Sequence, residues 1–344
     1  MIRKILLTGG AGFIGSQICL ELLRENKKSD ISYQPIIVDN LSNSSLDSIK
    51  KIEDHFDIKI PFYQINLCDL DQLRRLFVDE EIDSVIHLAG LKSVKKSIEN
   101  PREYYHNNVK GTKNLVKCMQ EFEVKDLIFS SSACVYGEPK VEEIPLTEKS
   151  KLHPINPYGQ SKLIVEGHLN RISNEWKTAN FISLRYFNPI GADSELMIGE
   201  KPNGVPENLL PYIIKVIKGE IPELSVFGGD YPTADGTAIR DYIHIVDLAQ
   251  AHIKALEYLR SRESREYDYF NVGTGQGYSV LDVIKSFDTL GVKVNYKVVD
   301  RREGDAAMVY ADVTKAKEIL GWKASKNLQD MIQDVKDFTN VIQE

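Results

Sequence analysis

Residues 4–16 read KILLTGGAGFIGS, and this stretch decides the fold. The apolar run 4–8 has the look of a short strand, and 13–25 has the spacing of an amphipathic helix. Three glycines join them. Gly9 permits a tight turn, Gly12 lets backbone approach a pyrophosphate, and Gly15 lets the helix pack on the strand. The helix N-terminus, opened by Phe13 and Ile14, then presents its partial positive charge to the phosphates. A bare glycine triplet is also what an ordinary strand-to-helix turn looks like. The next strand, 35–39, ends in Asp39, and that context favours a dinucleotide. A carboxylate there accepts from ribose hydroxyls and repels a 2′-phosphate, so NAD is expected rather than NADP. Asn40 and Asn43, in a polar loop, are expected to add contacts to the adenosine half.

Beyond this unit the first half keeps alternating. Residues 62–66, 84–88 and 126–130 read as further strands, with 69–80 and 104–122 as helices between them. The strands are nearly all apolar, as a parallel sheet covered on both faces requires. The fold class is therefore α/β, a doubly wound parallel sheet of Rossmann-like plan. After about residue 187 the pattern changes. Pro and Gly become frequent (Pro189, Gly191, Pro202, Gly204, Pro206, Gly228, Gly229, Pro232, Gly236) and strands shorten. The expected division is 1–187 for the nucleotide domain and 188–344 for a smaller α+β substrate lobe, with about 236–260 returning to the first domain.

Composition narrows the partners. A formal charge of −7 over 344 residues argues against nucleic acid, which wants a basic face. The four cysteines show no paired spacing, and the seven histidines no HxH or HxxxH pattern, so neither disulfides nor a metal is expected. No apolar run reaches membrane-helix length. The N-terminal residues run directly into the first strand without a signal-peptide pattern, so a soluble cytoplasmic setting is the expectation.

The second informative pattern lies at Ser132, Tyr158 and Lys162. Asn156-Pro157 is a helix start, with Asn as cap and Pro in the first turn. Tyr158 and Lys162, four apart, then share one face. A tyrosine titrates near 10, so lowering its pKa by about three units requires roughly 4 kcal/mol, which a nearby ammonium and a cationic nicotinamide can supply. Ser132 follows a strand at the carboxyl edge of the sheet, where its hydroxyl can hold a substrate oxygen as the proton moves. YxxxK alone occurs by chance on many amphipathic helices, and a serine cluster after a strand is commonly a loop. Downstream of the glycine turn, the trio specifies alcohol oxidation with hydride transfer.

This layout resembles the extended short-chain dehydrogenase/reductase family, and within it the members that epimerise UDP-glucose and UDP-galactose at C4. The likeness runs through residues 7–16, HLAGLK (87–92), YYHNNVKGT (104–112), IFSSSACVYG (128–137), 156–166, LRYFNPIGA (184–192), GGDYPTADGTAIRDYIHIVD (228–247) and RREGD (301–305). The resemblance implies that Tyr158 abstracts the 4-hydroxyl proton, that a 4-keto sugar turns over, and that NAD stays bound between half-reactions. It implies cofactor contacts from Asn66, Leu67, Leu88, Ala89, Gly90, Lys92, Asn108 and Tyr186. For the UDP-sugar it implies Phe187, Asn188, Asn208, Leu209, Val226, Phe227, Arg240, Arg302 and Asp305. A homodimer formed through helices near 104–122 and 161–176 is also implied. Two positions depart from the pattern. Asn66-Leu67 stands where an Asp-Ile pair is common, and Asn keeps a carbonyl oxygen for the adenine amine. Val309 stands where some members carry a tyrosine, which leaves room for a 2-acetamido group unless Tyr310 turns inward. Two other readings remain open. A nucleotide-sugar 4,6-dehydratase would want an Asp-Glu pair after Ser132, where this chain has Ala133-Cys134. A non-catalytic dinucleotide sensor would not need both Tyr158 and Lys162.

Overall fold

The computed structural model describes residues 2–28, 31–200, 206, 208–263, 265–302 and 305–342, with side chains up to 338. Pro202, Gly204, Glu303 and Gly304, named above, lie outside the described residues. Seven parallel strands form the central sheet: β1 (Ile2–Thr8), β2 (Ser32–Asp39), β3 (Phe62–Gln64), β4 (Ser84–His87), β5 (Asp126–Ser132), β6 (Asn180–Tyr186) and β7 (Asp268–Val272). Their order is β7-β6-β5-β4-β1-β2-β3.

Side-chain alternation along each strand builds the two layers. Ile5, Leu7, Ile37, Ile86, Ile128 and Ile182 face helices Phe13–Glu25 and Ile245–Ser261. Leu6, Val38, Val85, Leu127 and Phe181 face the other way, onto Leu70–Asp79, Gly111–Glu121 and Pro157–Glu175. Both faces are buried, which explains the continuous apolar runs.

The seventh strand comes from well beyond residue 187, and helix Ile245–Ser261 joins the same core as the first helix. The nucleotide layer therefore borrows chain from the second half. The second lobe has its own core, including Leu210, Ile213, Val226, Phe287 and Met331. Short strands stitch it together: Ile239–Arg240 lies between Tyr278–Ser279 and Met308–Val309, and Leu224–Phe227 pairs with Tyr296–Val299.

The strand order reverses between β1 and β4. Doubly wound sheets open a crevice outside the carboxyl ends of the strands at such a point. Thr8, Asp39, His87, Ser132 and Tyr186 all close strands on that edge.

Candidate active site

The glycine turn is closed by Gly9 N–H donating to Val38 O at 2.7 Å and Gly12 N–H to Gly9 O at 3.1 Å. A Cβ on Gly15 would sit 2.4 Å from Gly9 O, so only glycine lets the helix lie on the loop. Gly12 is the N-cap; no side chain caps this 13-residue helix and no acid occupies its first turn. Its leading N–H groups therefore suit an anionic pyrophosphate, and the cradle fits NAD. Phe13 and Ile14 are half-buried against the core at the mouth of this cradle.

Asp39 is buried at the end of β2. Its carboxylate accepts from Ala11 N–H (3.2 Å), Leu41 N–H (2.9 Å) and Ser44 Oγ (2.9 Å). It thus braces the glycine turn, a second duty that the sequence reading did not assign. Of about four acceptor positions on a carboxylate, three are used in this way. Asn40 and Asn43 are exposed on the following loop, where Asn40 Oδ1 accepts from Ser42 N–H and Oγ. Asn66 is exposed and its Oδ1 already accepts from Cys68 N–H at 2.9 Å, whereas Leu67 is buried in the sheet's core.

The loop after β4 is drawn onto the glycine turn. Leu88 N–H donates to Thr8 O at 3.0 Å and Ala89 N–H to Thr8 Oγ1 at 3.4 Å. The expected helix 104–122 is broken into Pro101–Tyr104, a π-helical turn Tyr105–Lys110 and Gly111–Glu121. That turn re-aims Asn108, as such inserts do at functional sites. Asn108 Oδ1 accepts from Leu91 N–H (2.8 Å), and its Nδ2 donates to Leu91 O (3.0 Å) and Ser161 Oγ (3.1 Å). Its amide is occupied in shaping the 88–92 loop, with Gly90 lying directly over it. Lys92 reaches Glu200 at 2.6 Å, and Asn208 donates to the same carboxylate at 3.1 Å.

Helix Pro157–Glu175 begins as the sequence requires: Asn156 caps it, accepting from Gly159 N–H at 2.8 Å. A Cβ on Gly159 would lie 2.6 Å from Cys134 O, so glycine brings this helix hard against the end of β5. Lys162 is buried; its Nζ donates to Ser130 O at 2.6 Å and lies 5.8 Å from the centre of the Tyr158 ring. Ser132 is in register with Tyr186 on the neighbouring strand and accepts from Cys134 N–H at 3.2 Å.

Burial pushes the Tyr158 phenol up, aided by Cys134 and opposed by the Ser132 hydroxyl. Burial likewise brings Lys162 down from 10.5 to about 8, against the pull of Cys134 and Glu166. The expected fall in the tyrosine pKa is thus reversed in the protein alone. In a shared dry site each charged form loses hydration, and here that loss dominates for both groups.

Tyr186 is also buried, and its hydroxyl meets His252 Nε2 at 2.5 Å. His252 Nδ1 faces Leu248 O at 2.8 Å; a carbonyl only accepts, so Nδ1 carries the proton and Nε2 accepts from the phenol. Burial holds His252 neutral, down to about 4.

On the second lobe Asn188 is exposed, its N–H tied to Asp241 O at 2.9 Å, and Phe187 is buried beside Val135 and Tyr136. Arg240 meets Asp305 at 3.3 Å, and Arg302 stacks 4.3 Å over Phe227. Leu209 opens the helix that follows Asn208. Val226 points into the lobe's core, the face opposite Phe227. Val309 pairs with Arg240 and packs at the Phe187 cluster, whereas the Tyr310 ring lies against Gly277.

The sequence reading missed Glu166, Arg185, His252 and Glu200. Only Glu166 left a signal, since it continues the Tyr158–Lys162 face one turn on.

A dinucleotide cradle and a Ser-Tyr-Lys trio on one sheet edge define the class. The chain belongs to the NAD dependent epimerase/dehydratase family, whose model matches residues 5–273. Within it the chain stands among UDP-glucose 4-epimerases. It is 47% identical over 334 residues to the UDP-glucose 4-epimerase of Bacillus subtilis, covering 96% of this chain and 95% of that one. It is 45% identical over 341 residues to that of Drosophila melanogaster, covering 96% and 94%. The solved UDP-glucose 4-epimerase from Stenotrophomonas maltophila, with bound NAD and formylated UDP-arabinopyranose, superposes with a TM-score of 0.93 at 41% identity, covering 99% of each chain. The Bifidobacterium longum enzyme, in complex with NAD+ and UDP, gives 0.92 at 42%, covering 98% of each.

Proposed function

We propose that this chain interconverts UDP-glucose and UDP-galactose at C4, using NAD held on the glycine turn, and that it also accepts their 2-acetamido counterparts. The observation that carries this reading is the gathering of Tyr158, Lys162 and Ser132 at the carboxyl end of β5, on the sheet edge that also carries the glycine turn. NAD supplies reversible hydride acceptance there.

The protein's own groups do the rest. The Tyr158 phenol is the proton carrier for the 4-hydroxyl, and the Ser132 hydroxyl holds the oxygen whose charge changes. Lys162, with a pKa near 8, is mostly cationic at neutral pH and offsets negative charge developing on the phenol. Gly9, Gly12 and Gly15 seat the pyrophosphate. Arg240 and Arg302 grip the substrate diphosphate with charge-assisted bonds, and Asn188 and Asn208 add polar contacts. The 4-keto sugar turns about its phosphate linkage between the two half-reactions, while these groups keep the nucleotide anchored.

The wider substrate range rests on Val309. The short strand ends at Val309, and the Tyr310 ring beyond it lies against Gly277. With Tyr310 packed at Gly277, it is the smaller valine of this pair that packs at the Phe187 cluster. Pairing of two copies is part of this proposal, through the helices near 104–122 and 161–176, where exposed Phe122 and Ile164 offer apolar surface.

Incubating the purified protein with UDP-galactose and separating the nucleotide sugars tests the reading. UDP-glucose should appear until a fixed ratio is reached, and UDP-N-acetylglucosamine should likewise yield its C4 epimer. A 4-keto-6-deoxy product would instead indicate a dehydratase, and unchanged substrate would remove the catalytic reading.

A further inference from the structure

One carboxylate sits where the three elements bearing the reactive groups converge. Glu166 is buried on the helix of Tyr158 and Lys162, one turn beyond the lysine. Arg185, fully buried on β6 next to Tyr186, donates to it twice, Nε to Oε1 at 3.0 Å and Nη2 to Oε2 at 2.7 Å. Ser131, next to Ser132 on β5, donates its hydroxyl to Oε1 at 2.6 Å. A forked pair fixes direction as well as distance, because both bonds must be straight at once. Arg185 is held in turn by the Tyr136 hydroxyl at 3.0 Å and by the face of Tyr269 at 4.3 Å. Tyr136 donates to Asn271 Oδ1 at 2.6 Å, on the adjacent β7.

We propose that Glu166 is a positioning residue for the epimerisation reaction, setting the Tyr158–Lys162 helix in register with the strand ends that carry Ser132 and Tyr186. This rests on the catalytic reading above. A buried ion pair is weak evidence for stability, since desolvation consumes much of its attraction. What this pair does supply is geometry: it joins a helix to two strands within one turn of the chemistry, where a displacement of about 1 Å can cost a hundredfold in rate.

The carboxylate also faces Lys162 electrically. The groups around that ammonium are the Tyr158 phenol, the Cys134 thiol, Glu166 and the buried His87, which is neutral with its pKa brought down to about 3. Arg185, bonded to Glu166, adds a positive charge behind it. Removing the Glu166 charge makes Lys162 easier to deprotonate, so the alkaline limb of activity should move to lower pH.

The test uses the full-length wild type with Glu166→Gln and Ser131→Ala. Wild-type turnover of UDP-galactose first establishes the catalytic reading by itself. Glu166→Gln places an amide N–H against an arginine N–H, and should lower kcat at least about tenfold with KM changed less than about threefold. Its alkaline limb should fall by about half a pH unit. Ser131→Ala removes only one hydroxyl and should fold normally, with kcat lowered about three- to tenfold at unchanged KM. If Glu166→Gln does not fold, Ser131→Ala decides alone. Wild-type kcat in folded Ser131→Ala, or in Glu166→Gln together with an unmoved alkaline limb, overturns the proposal.

Discussion

Replacing Lys162 with methionine should make the protein more stable while destroying its activity. The ammonium is buried, and its pKa falls from 10.5 to about 8 chiefly because burial penalises the charged form. At 1.36 kcal/mol per pH unit, that drop corresponds to about 3 kcal/mol charged against the native state at neutral pH. Methionine fills similar volume without the charge, but leaves Ser130 O without the bond it accepts at 2.6 Å. A carbonyl stranded in this way costs about 1 kcal/mol or somewhat more. The net expectation is a gain of roughly 2 kcal/mol at pH 7. With about 2.1 cal/mol/K of unfolding entropy per residue, this raises Tm by about 3 °C. The pH dependence gives the sharper check. Lysine in the unfolded chain keeps its proton up to about 10.4, whereas native Lys162 loses its proton near 8. The unfolded state therefore binds more protons between those values, and wild-type stability rises there relative to the variant. Below pH 8 the penalty is fully present; by about pH 10.5 most of it has gone. Urea unfolding of both proteins at pH 7 and pH 10 measures the gap directly. A variant less stable than wild type at pH 7, or a gap that stays constant with pH, would refute the assignment of a desolvated ammonium.

Two other substitutions address the cofactor cradle and the sugar pocket. Gly15→Ala pushes a methyl group to 2.4 Å from Gly9 O, where backbone cannot yield cheaply; purified protein should lose bound NAD by absorbance, with roughly 1–3 kcal/mol of stability. NAD retained at wild-type occupancy would show that the turn tolerates a side chain. Val309→Tyr should reduce turnover of UDP-N-acetylglucosamine at least about twentyfold and leave UDP-galactose within about threefold, the discrimination that steric fit can supply. Parallel loss of both substrates would place Val309 elsewhere than in the sugar pocket.

The elements nearest the chemistry were the most legible. KILLTGGAGFIGS gives strand, turn and helix through residue types that leave few alternatives, and helix Phe13–Glu25 runs as the spacing predicts. Asn156-Pro157 marks the start of the Tyr158–Lys162 helix for the same local reason. Legibility fails where structure depends on distant partners. β7 is a five-residue run after many irregular ones, and only pairing with β6 makes it part of the first sheet. The π-helical turn at Tyr105–Lys110 carries no residue that marks it as π-helical; its register is set by Asn108 reaching Leu91 and Ser161. Val226 and Phe227 look alike in sequence, yet alternation buries one and leaves the other beneath Arg302. Charge proximity to Tyr158 is visible in sequence spacing, whereas the burial that raises its pKa in the protein alone is not.

The phenol of Tyr158 as proton carrier is the centre of the account, and Tyr158→Phe removes that one oxygen from a ring that otherwise keeps its place. Steady-state turnover of UDP-galactose, measured beside UDP binding by titration, should show kcat lowered at least about a hundredfold with nucleotide affinity kept, the usual scale for a single proton-transfer group. A variant that turns over within about threefold of wild type would mean that the proton leaves the sugar by another route.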